Sequence, residues 1–373
     1  MKKWSVRPTV YVGTDSLERL CRFEGERVYF VCDPYLEGTD NLNRITGMIK
    51  PGNEVSVYTD VIPDPPLEKV AAGVADMQEK RPTVLVAVGG GSAIDTTKAM
   101  RYSYERLGGE RITCFIAIPT TSGTGSEVTS ASVITDRAAK VKHLIIDDAL
   151  LPDEALLDPA LVVSSPPSVT AFSGLDVLTH ALEALVGTEA TEYTDALADQ
   201  AIKIVFSDLV TCVHNGSDID ARTRMHCASC MGGLAFNAAG LGICHAIAHQ
   251  VGAHFHVPHG LANSMLLPYV VEANASNCEH AREKYAAVAR ELGLCGNGLP
   301  DNIVVMKLVK EIKALARACK APATLREFGV SVEDSVSAAD TIVQQALKDA
   351  SYPFNPVAFK AEDLKKVYLN IVK

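Results

Sequence analysis

The sequence predicts two domains in series: an α/β domain built on a parallel, Rossmann-like sheet over residues 1–166, then an all-α domain over residues 167–373. Three observations predict this. The chain has 373 residues, beyond the size at which a single hydrophobic core stops growing. Roughly its first 150 residues alternate short β-branched runs with helical patterns, the signature of βαβ units. Past Pro166–Pro167 the strand signals nearly vanish and long helical periods take over.

Taken in order, Val28–Cys32 (VYFVC), Val55–Tyr58, Val84–Val88 (VLVAV) and Thr113–Ile118 (TCFIAI) read as buried strands. Helical patterns lie between them at Pro66–Glu79 and Ser92–Leu107. Residues 140–165 are transitional, with a hairpin signal in KVKHLIID followed by the proline-marked DPALVVSSPP. The second domain is read from helices at Asp176–Val186, Ala196–Val213, Ala221–Ala239 and Arg282–Leu292. No internal repeat or low-complexity tract interrupts either half.

Composition narrows the function. Apolar residues make up 47% and charged residues 21%, the proportions of a globular enzyme. A net charge of −10 argues against nucleic acid or an anionic membrane as partner, because no basic surface collects to displace counterions. No apolar run is expected to span a membrane, and MKKWSVRPTV lacks the apolar stretch of a secretory signal. Ten cysteines at scattered spacings fit free thiols in a reducing cytoplasm. Cys227 and Cys230 have redox or zinc spacing, yet no second pair accompanies them, so they read as two small core residues.

The first domain carries a phosphate-cradle pattern. VAVGGGSAIDTTKAM (86–100) is a strand, three glycines and a helix. Gly90 and Gly91 allow close backbone approach, Ser92 is placed to cap the helix with Asp95 three residues on, and the helix start suits a pyrophosphate. A second strand runs into IPTTSGTGSEVT (118–129), rich in hydroxyls that include Thr120, Thr121 and Thr129. Asp33, at the end of VYFVC, is placed to accept the ribose hydroxyls of an adenosine. It would repel a 2′-phosphate by roughly 3–4 kcal/mol at about 4–5 Å and an effective dielectric of about 20, favouring NAD over NADP. In the usual Rossmann fingerprint the acid follows the glycines, whereas Asp33 precedes Gly89 by 56 residues.

The second domain carries metal-ligand spacing. Asp176 and His180 lie four apart in SGLDVLTHALEAL, which puts both on one helical face. Five of the chain's ten histidines fall in HAIAHQVGAHFHVPHG (245–260), where His245 and His249 repeat the i, i+4 spacing. Pro258-His259-Gly260 points to a loop holding His259, and His254 and His256 alternate along a short extended run. Three or four such groups suit a divalent cation. Spacing alone leaves the choice open among all five histidines.

These stretches together resemble the iron-dependent (group III) alcohol dehydrogenases. The matching pieces, in family order, are GGGSAIDTTK (89–98), PTTSGTGSEVT (119–129), GLDVLTHALEA (174–184) and GLGICHAIAHQVGAHFHVPHG (240–260). TSGTGSEVTSA and CDPYL are similar to the branch that serves propanediol-utilising bacterial microcompartments, which implies 1-propanol as the alcohol. The resemblance implies Asp176, His180, His245 and His259 as four metal ligands and His249 as a histidine beside the nicotinamide and substrate. It implies cofactor contacts at Asp33, Gly90, Gly91, Ser92, Thr120, Thr121, Thr129 and Lys142, with Asp64 near the adenosine half. Phe236 and Leu241 match substrate-lining positions, and Ala131 stands where some relatives carry a larger polar residue. His254 and His256 do not match ligand positions and read as supporting residues. Asn355-Pro356 matches the family's N-P-R ending except that Val357 replaces the arginine.

The resemblance further implies NAD(H), Fe²⁺ (Zn²⁺ accepts the same ligand set), a homodimer, and a cytoplasmic setting that extends to a microcompartment with shell or enzyme partners. The expected reaction is hydride transfer between NADH and a short-chain aldehyde, with a proton relayed through His249. A dehydroquinate-synthase-type lyase shares this plan, but would need basic residues for a phosphorylated substrate, and residues 231–262 contain no Lys or Arg. A catalytically idle dinucleotide-binding protein is the remaining alternative, which complete ligand and cofactor motifs disfavour.

Overall fold

The computed structural model describes residues 4–136, 141–296 and 298–373, apart from the side chains of Val141 and Lys142. The chain divides into two compact units, Ser5–Ser164 and Ser165–Lys373, the second joined by Trp4, which stacks on Tyr193.

In the first unit the elements run β1 (Thr9–Val12), β2 (Arg27–Cys32), α1 (Asp40–Thr46), β3 (Glu54–Tyr58), α2 (Leu67–Lys80), β4 (Val84–Gly89), α3 (Gly91–Arg106), β5 (Cys114–Pro119), β6 (Ala131–Asp136), β7 (Val141–Ile146) and β8 (Glu154–Leu157). Six of these strands form one sheet in the order β1-β8-β5-β4-β2-β3, every pair parallel. Strands β1 and β8, of four residues each, escaped the sequence reading because their apolar runs are too short to stand out. The expected hairpin exists as β6 and β7, an antiparallel pair apart from the sheet.

The central strands are buried on both faces, and their period of two sorts the side chains into two cores. Val28, Phe30, Val86 and Ile116 pack with Leu42 and Ile45 of α1. Tyr29, Val31, Leu85 and Phe115 pack with Val70, Val74 and Met77 of α2 and with Ile94 and Met100 of α3. The register then sets the site. Cys32 pairs with Val88 and Gly89 with Pro119, so Asp33, Gly90 and Thr120 leave the carboxyl edge of three adjacent strands side by side. That edge is where ligands bind in open parallel sheets.

The second unit is helical among its described residues: α4 (Pro167–Val186), α5 (Glu192–His214), α6 (Ile219–Ala239), α7 (Ile243–Phe255), α8 (His259–Asn277), α9 (Glu279–Glu291), α10 (Asp301–Ala318), α11 (Leu325–Phe328), α12 (Val332–Ala346) and α13 (Ala361–Leu369). One expectation is corrected here. The 20-residue α4 is apolar enough, by length and composition, to cross a membrane. It is instead a core helix enclosed by α5, α6 and α8, with 83% of its apolar window buried. Burial on all sides demands the same apolar composition that lipid would.

α5 and α9 meet through charges. Lys284 pairs with Asp195 at 2.7 Å, and Lys203 pairs with Glu291. Asp199, half-buried between these pairs, keeps one carboxylate oxygen without a partner. Burial and the like charge of Glu291 push its carboxyl up to about 6 from 3.8. The folded state therefore binds this proton more tightly than the unfolded chain, so its stabilisation is full below about pH 4 and lost as pH rises through 6. Asp199→Asn is expected to raise stability at pH 7.5 by about 1 kcal/mol, after allowing for solvent screening of a half-exposed group. Below pH 4 it should change little. Urea unfolding at the two pH values checks this.

Candidate active site

Three helices of the second unit converge on one point. α4 sets Asp176 and His180 one turn apart, α7 sets His245 and His249 one turn apart, and His259 is the first residue of α8. The expected loop around His259 is thus a helix start, with Pro258 in the preceding N-cap position and φ at −52°. Gly260 is required by close approach: a Cβ there would lie 2.1 Å from the Phe172 carbonyl oxygen and 3.1 Å from Asp176 Cβ. Without that side chain α8 begins directly against α4, and His259 reaches Asp176.

Asp176 Oδ1 lies 3.7 Å from His245 Nε2 and 3.7 Å from His259 Nε2, and Asp176 Oδ2 lies 3.9 Å from His180 Nε2. One ligand atom from each of the four residues falls within 4.8 Å of all the others. Side-chain exposure is 4% for Asp176, 4% for His180 and 1% for His245, against 41% for His259. The cluster is therefore closed on three sides and open beside His259. Burial, reinforced by His180 and His259, holds His245 well below the usual histidine range, so it stands neutral with a lone pair to offer. Burial alone would raise Asp176, but His180, His259, His245 and the Asn263 amide outweigh it and hold the carboxyl low. An anionic oxygen among three imidazole rings fits a divalent cation of the Fe²⁺ or Zn²⁺ type. His180 Nδ1, buried without a partner, marks a site whose polar groups are not all satisfied within the chain.

Three supporting residues went unread in the sequence. Glu183, buried on α4, pairs with His245 Nδ1 and accepts the Cys244 backbone N–H at 2.7 Å; burial pushes its carboxyl up to about 7. Its signal was present, since Asp176, His180 and Glu183 follow i, i+4, i+7 on one helical face. Asp349, just past α12, lies 2.8 Å from His249 Nδ1. The His249 bond and charge, with the Ser351 hydrogen bonds, outweigh burial and hold Asp349 low. A hundred residues of separation hid this pair. Asn263 on α8 touches three of the four ligand atoms.

His249 belongs to the same cluster, its ring stacked on His259 at 5.3 Å. His254 and His256 do not. The expected extended run is corrected to the last turn of α7, where exposed His254 contacts the Gln250 carbonyl at 3.0 Å. His256 ends that helix in the left-handed conformation, φ +54°. The Phe236 ring lies 4.5 Å from His180, Leu241 follows in the α6–α7 turn, and Ala131 begins β6 of the other unit. Asn355 is buried and accepts the Ile243 backbone N–H at 3.3 Å, tying the start of α7 to the C-terminal segment. Cys227 and Cys230 are free thiols of α6.

In the α/β unit, Asp33 Oδ2 accepts the Gly90 backbone N–H at 2.7 Å, so one carboxylate oxygen shapes the glycine turn. Burial raises its carboxyl against that hydrogen bond. The expected capping box is corrected: Gly90, not Ser92, holds the N-cap position of α3, with no side-chain cap. Open amides in the first turn suit a phosphate. Asp95 turns away from the helix start to accept the Ser126 hydroxyl and the Val133 backbone N–H at 3.0 Å. One turn on, buried Lys98 donates to Ser126 Oγ at 3.1 Å, Thr129 O at 2.8 Å, Thr129 Oγ1 at 3.1 Å and Ala131 O at 2.8 Å. Burial lowers its ammonium to about 8. Asp95 and Lys98 thereby fasten the 120–130 loop to α3. Thr120 Oγ1 hydrogen-bonds the Tyr35 hydroxyl at 2.6 Å, and Thr121 lies half-buried beside Gly90. Ser92 is half-buried in the first turn of α3, and Asp64 is exposed with φ +52°. Lys142 pairs through its backbone with Thr135; its side chain lies outside the described residues.

Residues 8–159 match the iron-containing alcohol dehydrogenase family, and residues 170–372 match the C-terminal part of the Fe-containing alcohol dehydrogenase family. The chain is 42% identical to 1-propanol dehydrogenase PduQ of Citrobacter freundii, covering 98% of this chain and 99% of that one. It is 36% identical to an NADPH-dependent butanol dehydrogenase of Clostridium saccharobutylicum, over 99% and 97% of the two chains. Among solved structures, a 1,3-propanediol oxidoreductase superposes with a TM-score of 0.92 at 30% identity over 99% of both chains.

The glycine turn offers a direct test of the cradle. Gly89 has φ +154°, and a Cβ there would lie 2.3 Å from Asp33 Oδ2 and 2.6 Å from Ala93 Cβ. Gly89→Ala is expected to displace Asp33 and weaken NADH binding by roughly tenfold or more, a loss of at least about 1.4 kcal/mol. Metal content should stay unchanged. Fluorescence titration with NADH and elemental analysis measure the two.

Proposed function

The chain belongs to the iron-containing alcohol dehydrogenase family, and from that premise we propose that it reduces short-chain aldehydes, propionaldehyde foremost, to primary alcohols with NADH. The observation that carries this is the convergence of Asp176, His180, His245 and His259 within 4.8 Å in a chain that also presents a dinucleotide-type cradle. A divalent cation held by these four residues would polarise the aldehyde oxygen, and a bound nicotinamide would supply the hydride.

The remaining chemistry is assigned to the chain's own groups. Glu183 engages His245 Nδ1, which fixes the tautomer and directs the Nε2 lone pair toward Asp176 and His259. Asp349 engages His249 Nδ1 and would support the imidazolium form, whose Nε2 proton is the one an alkoxide product requires; giving it up leaves the ring neutral with its proton on Nδ1. Phe236, against the His180 ring, provides an apolar wall suited to an alkyl chain. Gly90, Gly91 and Ser92 at the α3 N-terminus would hold the pyrophosphate, with Thr120, Thr121 and Thr129 along the second loop. Asp33 supports NADH over NADPH, since the carboxylate oxygen that does not bond Gly90 would face a 2′-phosphate. The likeness to 1-propanol dehydrogenase PduQ supports propionaldehyde.

Chelator-treated protein should regain aldehyde-dependent loss of NADH absorbance on addition of Fe²⁺ or Zn²⁺, with NADPH a poorer donor. His245→Ala should lose both bound metal and turnover. Turnover that persists in the chelated protein, or in a metal-free His245→Ala, would refute the proposal. Asp349→Asn is expected to lower kcat by roughly 10–100-fold, part of the range open to a positioned proton donor, while metal content and NADH affinity stay at wild-type values. Steady-state kinetics beside metal analysis distinguish these effects.

A further inference from the structure

Asn263 lies one helical turn beyond His259 and is fully buried. Its Nδ2 stands 2.7 Å from Asp176 Oδ1, 3.0 Å from His245 Nε2 and 3.2 Å from His259 Nε2. Its Oδ1 is buried with no hydrogen-bond partner. A carboxamide nitrogen donates two protons and accepts none, so its two protons are shared among the three neighbours, each of which can bond it only through a lone pair. The opposite orientation of the amide would set an oxygen against those lone pairs. For His245 the same assignment comes from the far side of the ring, where Nδ1 meets Glu183. These are the lone pairs that a cation needs.

We propose that Asn263 is a positioning residue of the metal site, its amide holding Asp176, His245 and His259 in the arrangement that binds a cation. The proposal rests on the metal-dependent reading above. The Asp176 bond is the shortest of the three, and a carboxylate has lone pairs for an amide and a cation together. That bond therefore survives loading and fixes the carboxylate, while the imidazoles exchange the amide proton for the cation. An apolar residue of similar size would leave a buried carboxylate and two imidazoles free to turn and pair with one another.

The test titrates metal-free protein with Co²⁺ and Zn²⁺ against a chromophoric chelator and records the Co²⁺ absorption bands. Asn263→Leu should bind both ions roughly 10–100-fold more weakly, the usual effect of removing a group that orients a ligand, and shift the Co²⁺ bands. Circular dichroism should show the wild-type helical content. Asn263→Ser, whose hydroxyl is too short to reach the three acceptors, carries the same expectation if the leucine variant does not fold. His245→Ala, run alongside, should lose the ion altogether. A folded Asn263 variant with wild-type affinity and bands, while His245→Ala loses the ion, overturns the role of Asn263 alone. Wild-type binding by His245→Ala as well overturns the metal site and this proposal with it.

Discussion

The helical unit depends on one constraint: a carboxylate and three imidazoles must be kept together in a place from which water is largely excluded. Groups that offer one another only lone pairs gain little from being together, and burying them costs free energy unless something engages those lone pairs. The chain meets that cost with a surrounding layer of polar contacts. Glu183 engages the far side of His245, the Cys244 amide steadies Glu183, and Asn263 bridges three of the four groups. The apolar character of α4 follows from the same constraint, because a helix carrying Asp176, His180 and Glu183 inward must be enclosed by its neighbours.

The α/β unit solves a related problem with opposite means. A dinucleotide brings its own charge, so the protein leaves backbone amides open at α3 rather than saturating them. What it fixes is the shape of the two loops. Asp33 holds the glycine turn from the next strand, and Asp95 and Lys98 pin the hydroxyl-rich loop from within the helix. A buried ammonium turns its three protons to four neutral oxygens of that loop, so moving the loop would strip a charged donor of its acceptors.

Sequence patterns revealed elements with strong periods and residues with short-range spacing. Strands β2, β3, β4 and β5, helices α2 and α3 and the long helices of the second unit were legible because each runs long enough for its period to register. Asp176, His180, His245 and His259 were legible by spacing and family resemblance together; spacing alone could not separate His259 from His254 or His256. The distinction lies in a helix end at His256 and a helix start at His259, and both depend on how α8 meets α4. Strands β1 and β8 were hidden by brevity. Asp349 was hidden because its partner is brought in by tertiary packing, as are two of the three partners of Asn263, and Ser92 was misread because the glycine before it already begins the helix.

The contact between Asp33 and Gly90 has an evolutionary corollary. In the proposed binding mode one carboxylate would both brace a turn and face the place where two coenzymes differ. A descendant that exchanged Asp33 for a smaller or neutral residue, to welcome a phosphorylated ribose, would also slacken the turn beneath the pyrophosphate. Drift in coenzyme choice along this lineage is thereby coupled to compensating changes in the glycine segment, and the two traits would be inherited as a pair.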